Sequence, residues 1–195
     1  MTTLAVFASG SGTNFQSIAE AIHAGKLDAS IALVVCDKKE AIVLQRAQKL
    51  GIDTFVFQAS DFPSKASYEK VILEELKSRD VEFLVLAGYM RLVGDTLLQE
   101  YPGKIVNIHP SLLPSFPGKD AIGQALQASV KVTGVTIHLV DDGMDTGPII
   151  AQEAIVIGKD DNRETVTKAI QTVEHRLYPQ TLKNILERQN VSEYH

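Results

Sequence analysis

Asn107 and His109 stand two residues apart in the run Lys104-Ile105-Val106-Asn107-Ile108-His109-Pro110. Ile105 to Ile108 reads as a short buried strand, bounded by Pro102-Gly103 before and Pro110 after. Side chains alternate along a strand, so the amide and the imidazole share one face. An amide N–H suits a developing oxyanion, and an imidazole can give or take a proton near neutral pH. A histidine at a strand end is equally consistent with a satisfied structural residue, and the pair alone does not separate the two readings. Ser111 follows closely, but it lacks the flanking glycines of a nucleophile elbow.

Two loops carry further chemistry. Asp141-Asp142-Gly143-Met144-Asp145-Thr146-Gly147-Pro148 crowds three aspartates together. Its spacing fails the calcium-loop pattern, because Gln152 stands where the bidentate glutamate should be. A carboxylate on this glycine-flanked turn can instead reach a histidine and favour its charged form, and Asp145 is the best placed. A plain polar hairpin turn is the other reading. Ser9-Gly10-Ser11-Gly12-Thr13-Asn14 begins like a dinucleotide fingerprint, yet Phe15 fills the third glycine position and no Walker lysine follows. What remains is a flexible turn presenting backbone N–H groups at a helix N-terminus, suited to one phosphate. An ordinary capped turn is the alternative. Met90-Arg91-Leu92-Val93 can line a flat apolar pocket or belong to the core, and Glu174-His175 lies on a helix face.

These residues need a scaffold. Strands are predicted at Leu4–Ala8, Ile31–Cys36, Thr54–Phe57 and Phe83–Ala87, alternating with helices at 13–24, 40–50 and 65–78. That alternation implies βαβ units and a parallel sheet, whose ligands gather at the carboxyl ends of the strands. A short helix at 94–100 leads to the Asn107 strand, and a Pro- and Gly-punctuated loop, 111–120, leads to another at 122–128. Val132–Val140 and Pro148–Ile157 then suggest an antiparallel pair. A long helix begins near Asn162, and Pro179 should kink or break it. The prediction is one Rossmann-like, three-layer αβα domain over residues 1–189, with a frayed tail at 190–195. Its sheet should be mostly parallel, of about seven strands, with an antiparallel C-terminal strand.

Composition limits the partners. A net charge of −5 argues against a general nucleic-acid surface or a polybasic membrane anchor. Cys36 is the single cysteine, so neither an intrachain disulfide nor a cysteine metal cluster forms. No signal-peptide pattern opens the chain, and no apolar run approaches the roughly 18 residues of a membrane span. A cytoplasmic protein acting on small molecules is expected.

Taken together, the stretches Ser9–Asn14, Gly88-Tyr89-Met90-Arg91, Asn107-Ile108-His109-Pro110-Ser111-Leu112-Leu113-Pro114, Asp145-Thr146-Gly147-Pro148 and Glu174-His175 resemble the folate-dependent glycinamide ribonucleotide formyltransferase family. The resemblance covers nearly the whole chain. It implies a formyl transfer from 10-formyltetrahydrofolate, as cosubstrate, to glycinamide ribonucleotide in purine synthesis, with no metal. By the same resemblance Asn107, His109 and Asp145 form the catalytic set. Gly12, Thr13 and Asn14 hold the ribonucleotide phosphate, and Glu174 helps to place its polar end. Met90, Arg91, Leu92 and Val93 form the pterin pocket, with Asn107 at its inner end. Lys65 falls where many relatives place an arginine for the folate, keeping the charge but not the bidentate fork. Segment 116–122 lacks the two histidines of the family's well-known version, so no role of that kind is carried over. The expected assembly is a monomer or weak homodimer.

Overall fold

The computed structural model describes the backbone of residues 1–192 and the side chains of residues 1–188. In chain order the elements are β1 (Thr2–Ala8), α1 (Thr13–His23), β2 (Ala29–Cys36), α2 (Ile42–Lys49), β3 (Thr54–Val56), α3 (Lys65–Lys77) and β4 (Phe83–Leu86). There follow α4 (Asp95–Glu100), β5 (Ile105–His109), α5 (Ala121–Gln127), β6 (Val132–Leu139), β7 (Ile149–Val156) and α6 (Arg163–Ser192). A single 3₁₀ turn at Ala59–Asp61 precedes α3. Predicted and observed elements agree in order and type, and differ at their ends by a residue or two.

The strands form one seven-stranded sheet in the order β3-β2-β1-β4-β5-β6-β7. All pairings from β3 to β5 are parallel, and β6 is antiparallel to both of its neighbours, so β6 alone runs against the rest. The chain leaves β1 toward one edge and later returns to β4 on the other side. This reversal opens a crevice at the carboxyl ends of β1 and β4.

Alternation along each strand feeds two cores. Leu4, Val6, Phe83, Val85, Val106 and Ile108 pack toward Phe15 and Ile18 of α1, Val43 of α2, and Ile170, Tyr178 and Leu182 of α6. Ala5, Phe7, Leu33, Val35, Leu84 and Ile105 pack toward Tyr68, Ile72 and Leu76 of α3 and Leu97 of α4. The three-layer αβα arrangement follows. Both faces of the central strands are covered, which is why β4 reads as an unbroken apolar run.

Of the kink or break expected at Pro179, a break does not occur: α6 continues through it to Ser192. A proline inside a helix costs about 3 kcal/mol through a lost hydrogen bond and a ring clash. Buried Tyr178, Thr181, Leu182 and Leu186 anchor the helix on either side of it. Burying large apolar side chains stabilises by about 1.5–3 kcal/mol each, enough to outweigh that cost. The helix therefore covers the first turn of the predicted tail, Asn190 to Ser192, and residues 193–195 lie outside the described part.

Tyr178 also ties this helix to the base of the crevice. Its fully buried hydroxyl donates to the Leu86 carbonyl at 2.7 Å and lies 3.3 Å from that of Val106, bridging β4 and β5. Tyr178→Phe should lower stability by about 1 kcal/mol, read as a reduced urea midpoint with an unchanged slope. An unchanged midpoint would contradict this bridging role.

Candidate active site

At the carboxyl ends of β1, β4 and β5 lies a cavity of about 770 Å³. Its wall includes Gly12, Thr13 and Asn14, the segment Met90–Val93, Asn107, His109, Asp145 and Glu174. Every predicted site residue except Lys65 thus meets in one space. Lys65 is exposed at the start of α3, beside Gly94 and Glu69, one residue beyond the Met90–Val93 segment.

Asn107 and His109 do project from one face of β5, but the centre of the cluster is Asp145. Its Oδ2 lies 3.4 Å from His109 Nδ1 and accepts from Gly118 N at 2.8 Å; its Oδ1 lies 3.6 Å from His138 Nε2. Burial pushes the Asp145 carboxyl upward, yet the Gly118 N–H and the two neighbouring imidazoles outweigh it. They hold the group below the usual carboxylate range. Asp145 sits at φ 56, a left-handed conformation that costs energy for a residue with a side chain. Gly147 fixes the turn from behind, since any Cβ there would strike the Leu139 carbonyl. The three aspartates do not converge: Asp141 accepts from Thr146 Oγ1 at 2.7 Å and Gly143 N at 3.1 Å, closing the turn. Among the described residues no group of three or more His, Cys, Asp or Glu is placed to hold a metal.

The ring nitrogens have definite neighbours. His109 is 5% exposed, and its Nε2 lies 2.9 Å from the Phe116 carbonyl, so that nitrogen donates. A ring protonated at both nitrogens satisfies the Phe116 carbonyl and Asp145 together. His138 Nδ1 faces the Leu139 carbonyl at 2.8 Å and therefore carries a hydrogen. Its Nε2 can then accept from Asn107 Nδ2 at 3.2 Å. The amide nitrogen of Asn107 is thereby turned toward His138, one N–H is spent, and a second is left for a ligand oxygen.

The Ser9–Asn14 loop leads into α1 without a side-chain cap. Gly12, at φ 72, is the N-cap residue of that helix. Its backbone donors stay open, with the helix dipole behind them. Gly12 is required twice: by its left-handed backbone, and because a Cβ would meet Val43 at 2.6 Å. The loop is fastened from α2, by Val43 N to the Gly10 carbonyl at 3.1 Å and Arg46 Nε to the Ser11 carbonyl at 2.8 Å. Asn14 turns inward instead of capping. Its Nδ2 donates to Glu174 Oε2 at 3.2 Å, while its buried Oδ1 has no partner. That bare acceptor, beside a buried carboxyl, suits a ligand rich in hydroxyl or amide donors.

On the far side runs a stretch of backbone without partners. Met90 N donates to Ser9 Oγ at 2.9 Å and Gly94 N to Glu69 Oε1 at 2.7 Å. Between these pins the N–H groups of Arg91, Leu92 and Val93 and the carbonyls of Met90 to Val93 bond to no protein group among the described residues. A row of backbone donors and acceptors left open along a cavity wall can pair with a planar ligand of alternating donors and acceptors. Exposed Met90 and Leu92 add apolar surface beside it.

The chain matches the formyl transferase family over residues 2–182. It belongs to that family. Among its relatives, the phosphoribosylglycinamide formyltransferase of Bacillus subtilis is 53% identical over 193 residues, covering 99% of each chain. The Escherichia coli phosphoribosylglycinamide formyltransferase is 35% identical over 176 residues, covering 90% of this chain and 83% of that one. A crystal structure of glycinamide ribonucleotide transformylase 1 from Geobacillus kaustophilus superposes with a TM-score of 0.93 at 57% identity, over 95% of this chain and 99% of that one. In this formyl transferase Asn107, His109 and Asp145 were expected together from the sequence, and His138 was not. A signal for His138 lies in the alternation of Val132–Val140, because an antiparallel register sets it directly opposite Asn107.

Glu174 yields a pH prediction. Burial pushes its carboxyl up from 4.5 to about 7, against the opposing hydrogen bond from Asn14. The folded state then holds this proton more tightly than the unfolded chain. Glu174 is neutral toward stability below about pH 4.5 and subtracts from it as pH rises toward 7. That gap corresponds to roughly 3 kcal/mol. Between pH 4.5 and 8 the wild type should lose roughly 3 kcal/mol more unfolding free energy than Glu174→Gln, by urea denaturation at each pH. Parallel pH profiles would contradict the assignment.

Proposed function

We propose that the chain transfers a formyl group from 10-formyltetrahydrofolate to the amine of N1-(5-phospho-D-ribosyl)glycinamide. The products are formylglycinamide ribonucleotide and tetrahydrofolate, a step of de novo purine biosynthesis. One observation carries the reading. A single cavity is lined by an uncapped helix N-terminus, an open backbone edge, and a carboxylate–imidazole–amide cluster. A monophosphate fits the first, a pterin the second, and a reacting acyl centre the third.

Gly12, Thr13 and Asn14 hold the ribonucleotide phosphate with backbone donors, and Asn14 Oδ1 and Glu174 receive its polar groups. Met90 to Val93 present their backbone to the pterin ring, with Lys65 near the outer end of that segment. The folate supplies a formyl group on a nitrogen that can leave. Asn107 donates its free N–H to the formyl oxygen as that oxygen takes on negative charge. His109, with Asp145 beside its Nδ1, stabilises the same charge and delivers a proton to the departing nitrogen. The amine proton of the attacking substrate passes toward Asp145, through a bound water where the gap requires one. Phe116 lends its carbonyl to His109 in this conformation and gives way when substrate occupies the site.

In this reading the enzyme acts in the cytoplasm on diffusible small molecules, as a monomer or weak homodimer and without nucleic acid. No helix among the described residues is long and apolar enough to cross a membrane.

The direct test mixes protein with 10-formyltetrahydrofolate, with and without the ribonucleotide, and follows release of tetrahydrofolate. Release only with the ribonucleotide is expected; release without it, or none, overturns the reading. His109→Ala and Asp145→Asn should each lower turnover roughly 10²–10⁴-fold while the melting temperature stays nearly constant. Turnover near the wild-type level in either variant would remove that residue from the catalytic set. Asn14→Ala should weaken ribonucleotide binding and leave folate binding unaltered; an equal loss of both would move the phosphate site elsewhere.

A further inference from the structure

Asp37 follows the last residue of β2, where a dinucleotide-binding sheet places a carboxylate for a ribose hydroxyl. Here that carboxylate faces inward, with its side chain only 3% exposed. Oδ1 accepts from Ser9 Oγ at 2.5 Å, and Oδ2 accepts from Arg91 Nε at 2.8 Å. Ser9, itself 3% exposed, uses the same hydroxyl oxygen to accept from Met90 N at 2.9 Å, and its own N–H donates to the Gly88 carbonyl at 3.0 Å. The Arg91 guanidinium lies 5.9 Å over the Tyr68 ring. A buried carboxylate with two partners is costly to desolvate, and its attraction to one half-exposed arginine offers little net stability. Its geometry has a clearer consequence. Asp37 grips the open backbone edge at Arg91 and, through Ser9, at Met90.

Ser9 is also the residue that leads into the phosphate loop, whose next members are Gly10 to Asn14. The Asp37–Ser9 pair therefore joins the starts of the two substrate-binding segments, which are 81 residues apart in sequence at the Ser9–Met90 bond. At the other end Glu69 holds Gly94 N. Three unpaired peptide units between fixed ends are a preorganised edge. Without the pins, a ligand that pairs with those units would have to order them on binding.

We propose that Asp37 is a positioning residue for the folate subsite, fixing the Met90–Val93 edge at Arg91 directly and at Met90 by way of Ser9. This rests on the two-subsite reading given above. Asp37 touches neither substrate; it acts through the backbone it holds. Its role differs from that of a general structural carboxylate, whose loss would weaken both subsites together.

Steady-state kinetics on the full chain, varying each substrate in turn, test the proposal. Asp37→Asn keeps the shape but removes the charge. Its KM for 10-formyltetrahydrofolate should rise about tenfold, with kcat and the ribonucleotide KM within about twofold of wild type. Ser9→Ala leaves the Asp37–Arg91 pair intact but frees Met90 N, and should raise the folate KM about fivefold. The double variant should rise by less than the product of the two, because the bonds belong to one network. A folate KM within twofold of wild type, or equal rises for both substrates, would overturn the proposal. Should Asp37→Asn fail to fold by circular dichroism, Ser9→Ala decides by the same criteria. A wild-type protein without transfer activity would overturn the functional reading, and this proposal with it; an active wild type beside an unaffected Asp37→Asn overturns this proposal alone.

Discussion

The site depends on one carboxylate held between two imidazoles. Asp145 reaches His109 with one oxygen and His138 with the other, and accepts a backbone N–H from Gly118 as well. That geometry needs a strained residue in a tight turn, and the turn is possible because Gly147 packs against the β6 carbonyl of Leu139 where no side chain fits. It also needs β6 to run antiparallel beside β5, since only then does His138 face Asn107 across the ladder. The single strand that runs against the sheet is thus the strand that brings His138 to Asp145 and Asn107.

Around this cluster several polar groups bond to no other protein group. The first turn of α1 lacks a cap, buried Asn14 Oδ1 has no partner, and three peptide units after Met90 are unpaired among the described residues. The buried Asn14 Oδ1 is a cost in the free protein, which a ligand donor would recover. Fixed points surround every gap: Val43 and Arg46 under the phosphate loop, Ser9 and Glu69 at the ends of the backbone edge, Tyr178 beneath β4 and β5. The scaffold is tightly paired so that the wall of the cavity need not be.

Local chemistry was legible in the sequence. Alternation placed Asn107 and His109 on one face of β5, the glycines announced the turn into α1, and periodicity gave the order of strands and helices. The groups that escaped are those defined by long-range pairing. His138 looked like one polar residue on a strand face until the β5–β6 register set it opposite Asn107. Asp37 holds a strand-end position where a dinucleotide-binding sheet places a ribose ligand, and only the fold shows it turned toward Ser9 and Arg91. Pro179 shows a related limit. Local backbone chemistry argues for a kink or a break, and burial of Tyr178 and Leu182 on the sheet keeps the helix continuous.

The claim at the centre of this account is that Asp145 works between two imidazoles whose hydrogens are placed by opposite ring nitrogens. Nitrogen-15 NMR of protein labelled at histidine reads this directly, with ring signals assigned through His109→Gln and His138→Gln. The account predicts a hydrogen on Nε2 of His109, facing the Phe116 carbonyl. It also predicts a hydrogen on Nδ1 of His138, facing the Leu139 carbonyl, with Nε2 free to accept from Asn107. A neutral His138 carrying its hydrogen on Nε2, or a His109 ring bare at Nε2, would contradict it.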